Sequence, residues 1–145
     1  GRPVAGVVYV PVQDKMYYGT LGTGGWRLEA GGKPEQIMVR EADLEAGLTV
    51  VMSRSHPSPD LEAYLKDIKV AEAMPVGSSL KLCVVAEGLA DLYPRLGPTM
   101  EWDTAAGHAV VEAAGGTVLQ SNGQALVYNK QNLLNPYFIV SGRLR

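Results

Sequence analysis

One cysteine, Cys83, stands among 145 residues. No disulfide can therefore form within the chain, and a disulfide-built secreted scaffold is excluded. No apolar run approaches the roughly 18 residues of a membrane span, so integral membrane contact is not expected. Net charge is also scarce: 13 Lys and Arg against 15 Asp and Glu leave −2. That gives no bulk attraction for a nucleic acid polymer or an anionic membrane, although a local basic pocket stays open. No cysteine or histidine cluster has zinc spacing. A hydrophobic fraction of 46% and a charged fraction of 19% fit an ordinary globular domain, and the length suffices for one core.

What is present changes character along the chain. Residues 4–10 alternate and are rich in valine, and residues 15–18 read as a second strand. Residues 19–25 carry Gly19, Gly22, Gly24 and Gly25, and Trp26-Arg27-Leu28 resumes an extended segment. This pattern predicts an antiparallel meander without a helix over residues 1–40. Leu-Thr-Val-Val-Met at residues 48–52 is a continuous apolar run, the mark of a strand covered on both faces. Ser58-Pro59-Asp60 supplies a cap, an N1 proline and an acidic first turn for a helix to about residue 66. A strand is predicted at 69–73, a helix from Gly77 to Glu87 stopped by Gly88, and a strand at 90–93. A long helix follows, capped by Asp103 and ended by Gly115-Gly116, with final strands at 117–120 and 138–141. Alternating strands and helices predict an α/β layer on a mixed sheet over residues 41–145.

Several clusters could carry chemistry. Gly22-Thr23-Gly24-Gly25 invites a phosphate-loop reading, but such a loop must open a helix, and here a strand follows; a hairpin turn is the reading. Asp103 serves either as a helix N-cap or as a metal carboxylate at a loop–helix junction. Gly77-Ser78-Ser79-Leu80-Lys81 places two hydroxyls and an ammonium where a helix begins, which suits a phosphate or a plain serine cap. Arg95, after Pro94, has a guanidinium able to grip phosphate with two bonds. His56 lies on the loop beyond a buried strand, where α/β sheets bind ligands. His108 and Cys83 read as packing residues.

The order of these pieces is more specific than any one of them. Trp102-Asp103-Thr104-Ala105-Ala106-Gly107, followed by Glu112-Ala113-Ala114-Gly115-Gly116, resembles the C-terminal signature of the inositol monophosphatase superfamily. Gly77-Ser78-Ser79-Leu80-Lys81 and Ala86-Glu87-Gly88-Leu89-Ala90-Asp91-Leu92-Tyr93-Pro94-Arg95 resemble its 3′(2′),5′-bisphosphate nucleotidase branch, as do Ser53-Arg54-Ser55-His56 and Leu134-Asn135-Pro136. The resemblance covers essentially the whole chain. It implies a cytoplasmic phosphomonoesterase that uses Mg²⁺ and acts on adenosine 3′,5′-bisphosphate. It also implies that Asp103 ligates metal and that Ser78, Lys81, Arg95, His56 and Asp103 bind substrate.

One departure matters. The family's Asp-Pro-x-Asp-Gly-Thr motif and its adjacent glutamate pair are absent. The resemblance then implies that the chain is the C-terminal part of a longer enzyme. Residues 1–40 would be the last antiparallel strands of a first domain, and 41–145 an α/β substrate and metal domain. Two alternatives stay open: an inositol or sugar phosphate phosphatase, and an isolated module that binds phosphate or nucleotide without catalysis. The edge of the first strands is expected to pair with another chain, giving a homo-oligomer.

Overall fold

The structure is a computed structural model that describes residues 1–53 and 58–145. The first strands are β1 (Ala5–Val10), β2 (Lys15–Thr20), β3 (Gly24–Glu29) and β4 (Glu35–Ile37), hydrogen-bonded in that order as an antiparallel meander. A single 3₁₀ turn at Pro11–Gln13 joins β1 to β2. A two-residue strand, β5 (Glu41–Ala42), pairs in parallel with the last one and was not visible in the sequence.

Five further strands form a mixed sheet in the order β7-β6-β8-β10-β9: β6 (Leu48–Met52), β7 (Val70–Pro75), β8 (Leu92–Arg95), β9 (Thr117–Gln120) and β10 (Phe138–Ser141). The β6 pairings are parallel and the β10 pairings antiparallel. β11 (Arg143–Leu144) ends the chain's strands. Helices α1 (Pro59–Leu65), α2 (Leu80–Ala86) and α3 (Glu101–Ala113) complete it. The mixed α/β class read from the sequence is thus the fold that is observed.

Alternation along the second sheet sorts its side chains into two layers. Val51, Tyr93, Phe138 and Val140 face α2 and α3, in a core that also takes Tyr17 and Ile37 from the meander. Leu48, Val50 and Leu92 point the other way, toward Tyr64 and Leu65 of α1. The α2/α3 pair is therefore sandwiched between the two sheets, and α1 covers the far side.

Small residues bring α3 close to its neighbours. Gly6, Gly19 and Gly25 are register partners across β1, β2 and β3. A Cβ on Gly6 would lie 2.2 Å from the Ala106 carbonyl oxygen, and one on Gly19 would lie 2.7 Å from the Ala113 Cβ. Gly19 and Gly25 are thus strand residues under a helix, and the hairpin turn is confined to the residues between Thr20 and Gly24. On the opposite side of α3, Gly107 meets Leu82 of α2, where an added Cβ would lie 3.0 Å from the Leu82 Cβ.

Two helix starts differ from the sequence reading. Residues 77–79 precede α2 instead of opening it, because Ser78 is left-handed at φ +54° and cannot continue a right-handed helix. The N-cap of α3 is Met100, with Asp103 three residues inside; its Oδ2 accepts from the Met100 backbone N–H at 2.8 Å. Asp103 serves the helix end from within, as the reciprocal half of a capping box. The N-cap at Ser58 is as expected, its Oγ accepting from Leu61 N–H.

Candidate functional site

Four segments meet around one cavity of about 560 Å³. Val7 and Tyr9 of β1 form one side. Ser78, Ser79 and Lys81 come from the entry to α2, Tyr93 and Arg95 from β8, and Asp103 with Trp102 from the first turn of α3. The fold therefore gathers Ser78, Lys81, Arg95 and Asp103 at one place. His56 lies outside the described residues.

Lys81 is 7% exposed, and its Nζ lies 5.6 Å from the Tyr93 ring centroid. Burial, and then the charge of Arg95, push its pKa below the usual lysine range. Arg95 donates from Nη2 to the Pro98 carbonyl oxygen at 3.0 Å, while its buried Nε has no partner among the described residues. Neither cation has a carboxylate within ion-pair distance among those residues. Two cations of like sign lining one concavity give it a positive local potential. The left-handed Ser78 adds backbone strain at its mouth.

Asp103 is the cavity's carboxylate, exposed, with one oxygen held by Met100 N–H. Its other oxygen has no hydrogen-bond partner among the described residues and can ligate a cation. Among the described residues no group of three or more His, Cys, Asp or Glu side chains could hold a metal ion. For Mg²⁺, which takes oxygen ligands in near-octahedral array, the described residues of the cavity offer one carboxylate.

Next to Asp103, Glu101 is tied to the segment that follows α3's return. Its carboxylate accepts from Asn129 N–H at 2.7 Å, from Lys130 N–H at 3.1 Å and from Lys130 Nζ. The Lys130 ammonium holds the Glu101 carboxyl well down, at about 2. Cys83 is fully buried, and burial pushes its thiol up to about 12, so it is inert as read. His108 is also buried, with Nδ1 2.9 Å from the Tyr128 hydroxyl.

Thr99, Trp102 and Thr104 line the cavity and were missed; their only signal is that they flank Asp103 in sequence. Val7 and Tyr9 had no signal at all, since only the packing of α3 on β1 brings them there.

A four-stranded meander and a five-stranded mixed sheet enclose a helix pair, with a cavity lined by two cations at the first turn of one helix, and together they define a layered α/β protein. The chain belongs to the inositol monophosphatase family, whose sequence profile matches residues 1–140. It is 48% identical over 142 residues to the 3′(2′),5′-bisphosphate nucleotidase CysQ of Salmonella typhimurium, covering 97% of this chain and 56% of that protein. The Escherichia coli K12 protein of the same name matches at the same identity and coverage. The crystal structure of CysQ from Bacteroides thetaiotaomicron, a bacterial member of the family, superposes with a TM-score of 0.85 at 43% identity, over 98% of this chain and 59% of that one. The chain spans a little over half the length of these relatives.

Proposed function

We propose that the protein containing this chain is a Mg²⁺-dependent phosphomonoesterase of the bisphosphate nucleotidase type, cleaving adenosine 3′,5′-bisphosphate to AMP and phosphate. In this reading residues 1–40 belong to a first domain, residues 41–145 form the substrate and metal domain, and the enzyme works in the cytoplasm. The observation that carries it is that Lys81 and Arg95, two cations without carboxylate partners among the described residues, line the same cavity as Asp103. The similarity to CysQ proteins supports the substrate. Among the described residues no helix is long and apolar enough to cross a membrane.

The residues divide the work by their chemistry. The Arg95 fork suits two oxygens of one phosphate, and Lys81, lining the same cavity, supplies a point charge. The Ser78 hydroxyl donates to a phosphate oxygen, and the family resemblance assigns His56, which lies outside the described residues, to the nucleoside. Asp103 gives one oxygen ligand to Mg²⁺. When bound, Mg²⁺ supplies an activated water and neutralises charge on the phosphoryl oxygens.

Phosphate release from adenosine 3′,5′-bisphosphate with Mg²⁺ tests the reading in a protein containing the chain. Arg95→Ala should lower kcat/KM by at least about tenfold, the loss of one charge-assisted bond. No release, with good turnover of an inositol phosphate, would move the assignment to the sugar-phosphate branch. The single carboxylate in the cavity favours a second statement about the 145 residues alone: they bind phosphate without hydrolysing it. Hydrolysis by the isolated chain, untouched by Asp103→Ala, would overturn the proposed site. β1 is the outer strand of its sheet, with Val7 and Tyr9 exposed. That edge supports association of copies, and a monomer by light scattering at high concentration would argue against it.

A further inference from the structure

Thr104, which lines the cavity, is only 2% exposed. A hydroxyl has one proton and two lone pairs. The Thr104 proton is directed at the Glu101 carbonyl oxygen, 3.3 Å away. Its oxygen accepts from Asn135 Nδ2 at 3.0 Å and from the Tyr128 hydroxyl at 3.2 Å. All three valences are used. The Tyr128 hydroxyl also lies 2.9 Å from His108 Nδ1, where the imidazole tautomer decides which atom donates. On its other side the His108 ring places Nε2 3.3 Å from Glu112 Oε1.

Asn135 extends the chain of bonds to the other wall. It is 4% exposed, and its amide also donates to Thr99 Oγ1 at 3.2 Å. Its backbone N–H donates to the Thr99 carbonyl at 2.8 Å. Thr99 follows Pro98, whose carbonyl accepts from Arg95. Thr104 follows Asp103. Asn135 thus ties the loop that steadies Arg95 to the turn that carries Asp103. Stability alone does not call for an amide here, because Asn135 Oδ1 is buried without a partner among the described residues, a destabilising arrangement. Directional bonds fix geometry in a way that an apolar filler would not.

We propose that Thr104, Asn135 and Tyr128 are positioning residues: their shared hydrogen bonds fix the Arg95 loop against the first turn of α3, so that Arg95 and Asp103 address one phosphoryl group. The proposal rests on the phosphate reading of the cavity, and the experiment separates the two. The chain is titrated with inorganic phosphate by NMR, and microsecond-to-millisecond exchange at the Thr99 and Asp103 amides is measured without ligand. Thr104→Val keeps the shape and removes the hydroxyl; Thr104→Ser keeps the hydroxyl. Thr104→Val should weaken phosphate binding about tenfold and broaden both amides, while Thr104→Ser stays within about twofold of the parent. The proposal falls if Thr104→Val matches the parent in both readouts. It falls equally if Thr104→Ser is as impaired as Thr104→Val, because packing and not the hydroxyl would then matter. Should Thr104→Val not fold, Tyr128→Phe is read the same way, and parental affinity and exchange in it overturn the proposal. If the parent chain itself does not bind phosphate, the functional reading fails. Exchange at Thr99 and Asp103 then decides the positioning role alone.

Discussion

Replacing Gly6 by alanine would put a methyl carbon 2.2 Å from the Ala106 carbonyl oxygen and 2.9 Å from two more backbone atoms of that residue. Ordinary van der Waals contact begins at 3.4 Å. The obstacle is backbone on both sides, so no rotamer change relieves it, and β1 and α3 must part by roughly 1 Å. Overpacking of this kind costs about 1–3 kcal/mol, and a backbone clash belongs at the upper end. For a chain of this size that lowers Tm by roughly 5–10 °C. Urea unfolding followed by tryptophan fluorescence should show a lower midpoint at an unchanged m-value. Gly77→Ala is the control: a Cβ there meets nothing within 4 Å, so its effect should stay within about 0.5 kcal/mol. A second comparison uses the chemistry of the contact. The Gly19 clash is with the Ala113 side chain, so Ala113→Gly should relieve Gly19→Ala, with a coupling energy of about 1 kcal/mol or more. Ala106→Gly should give Gly6→Ala no such relief. A Gly6→Ala chain as stable as its parent would refute the close seating of α3 on the meander.

Two pH effects follow from buried partners. Glu101 is held at about 2 in the fold against its usual 4.5. Its stabilisation is complete above pH 4.5 and is lost as pH falls from there to about 2. Glu101→Gln should flatten that part of a stability–pH curve measured by chemical denaturation. Burial lowers the pKa of His108 from its usual 6.5, with Glu112 pulling the other way. Stability from keeping it neutral is therefore present above pH 6.5 and declines as pH falls below it, and His108→Gln should remove that slope; a slope unchanged in the variant would sink this assignment.

How much of this was legible depended on whether the cause was local. Leu48–Met52 announced a covered strand, because a run of five apolar residues has few other uses, and it became β6, buried on both faces. The candidate residues came from their shared motif order, and the fold brings four of them, Ser78, Lys81, Arg95 and Asp103, to one cavity, while His56 lies outside the described residues. Gly19 and Gly25 were not legible: a glycine beside a turn and one beneath a helix look alike until the helix, about ninety residues later, is placed. Asp103 looked like an N-cap because an aspartate at either end of a capping box satisfies the same helix terminus from a similar place. Ser78 looked helical because nothing in Gly-Ser-Ser specifies a left-handed serine. The bond between Asn135 and Thr104 crosses 31 positions and has no local trace.

The treatment of buried charge separates the cavity from the rest of the molecule. Asp91, 2% exposed, accepts from Arg40 twice and from Thr49 N–H. The Glu87 carboxylate accepts from the Tyr17 hydroxyl and from Arg27. Lys81 is buried to a similar degree, yet its charged neighbour is Arg95, of the same sign. A buried ammonium beside a like charge is unfavourable until an anion enters, and an anion opposes both the repulsion and the desolvation. Sulfate isolates this effect, since its own charge is constant from neutral to alkaline pH. Its affinity should hold steady near neutrality and fall as pH rises through a Lys81 pKa below the usual 10.5. Lys81→Met should remove this dependence and weaken binding, while leaving the ligand-free chain at least as stable as its parent, because the variant no longer buries an unpaired ammonium. A destabilised ligand-free Lys81→Met chain, or sulfate affinity indifferent to the substitution, would mean that Lys81 serves packing and that the cavity's anion is held by Arg95 alone.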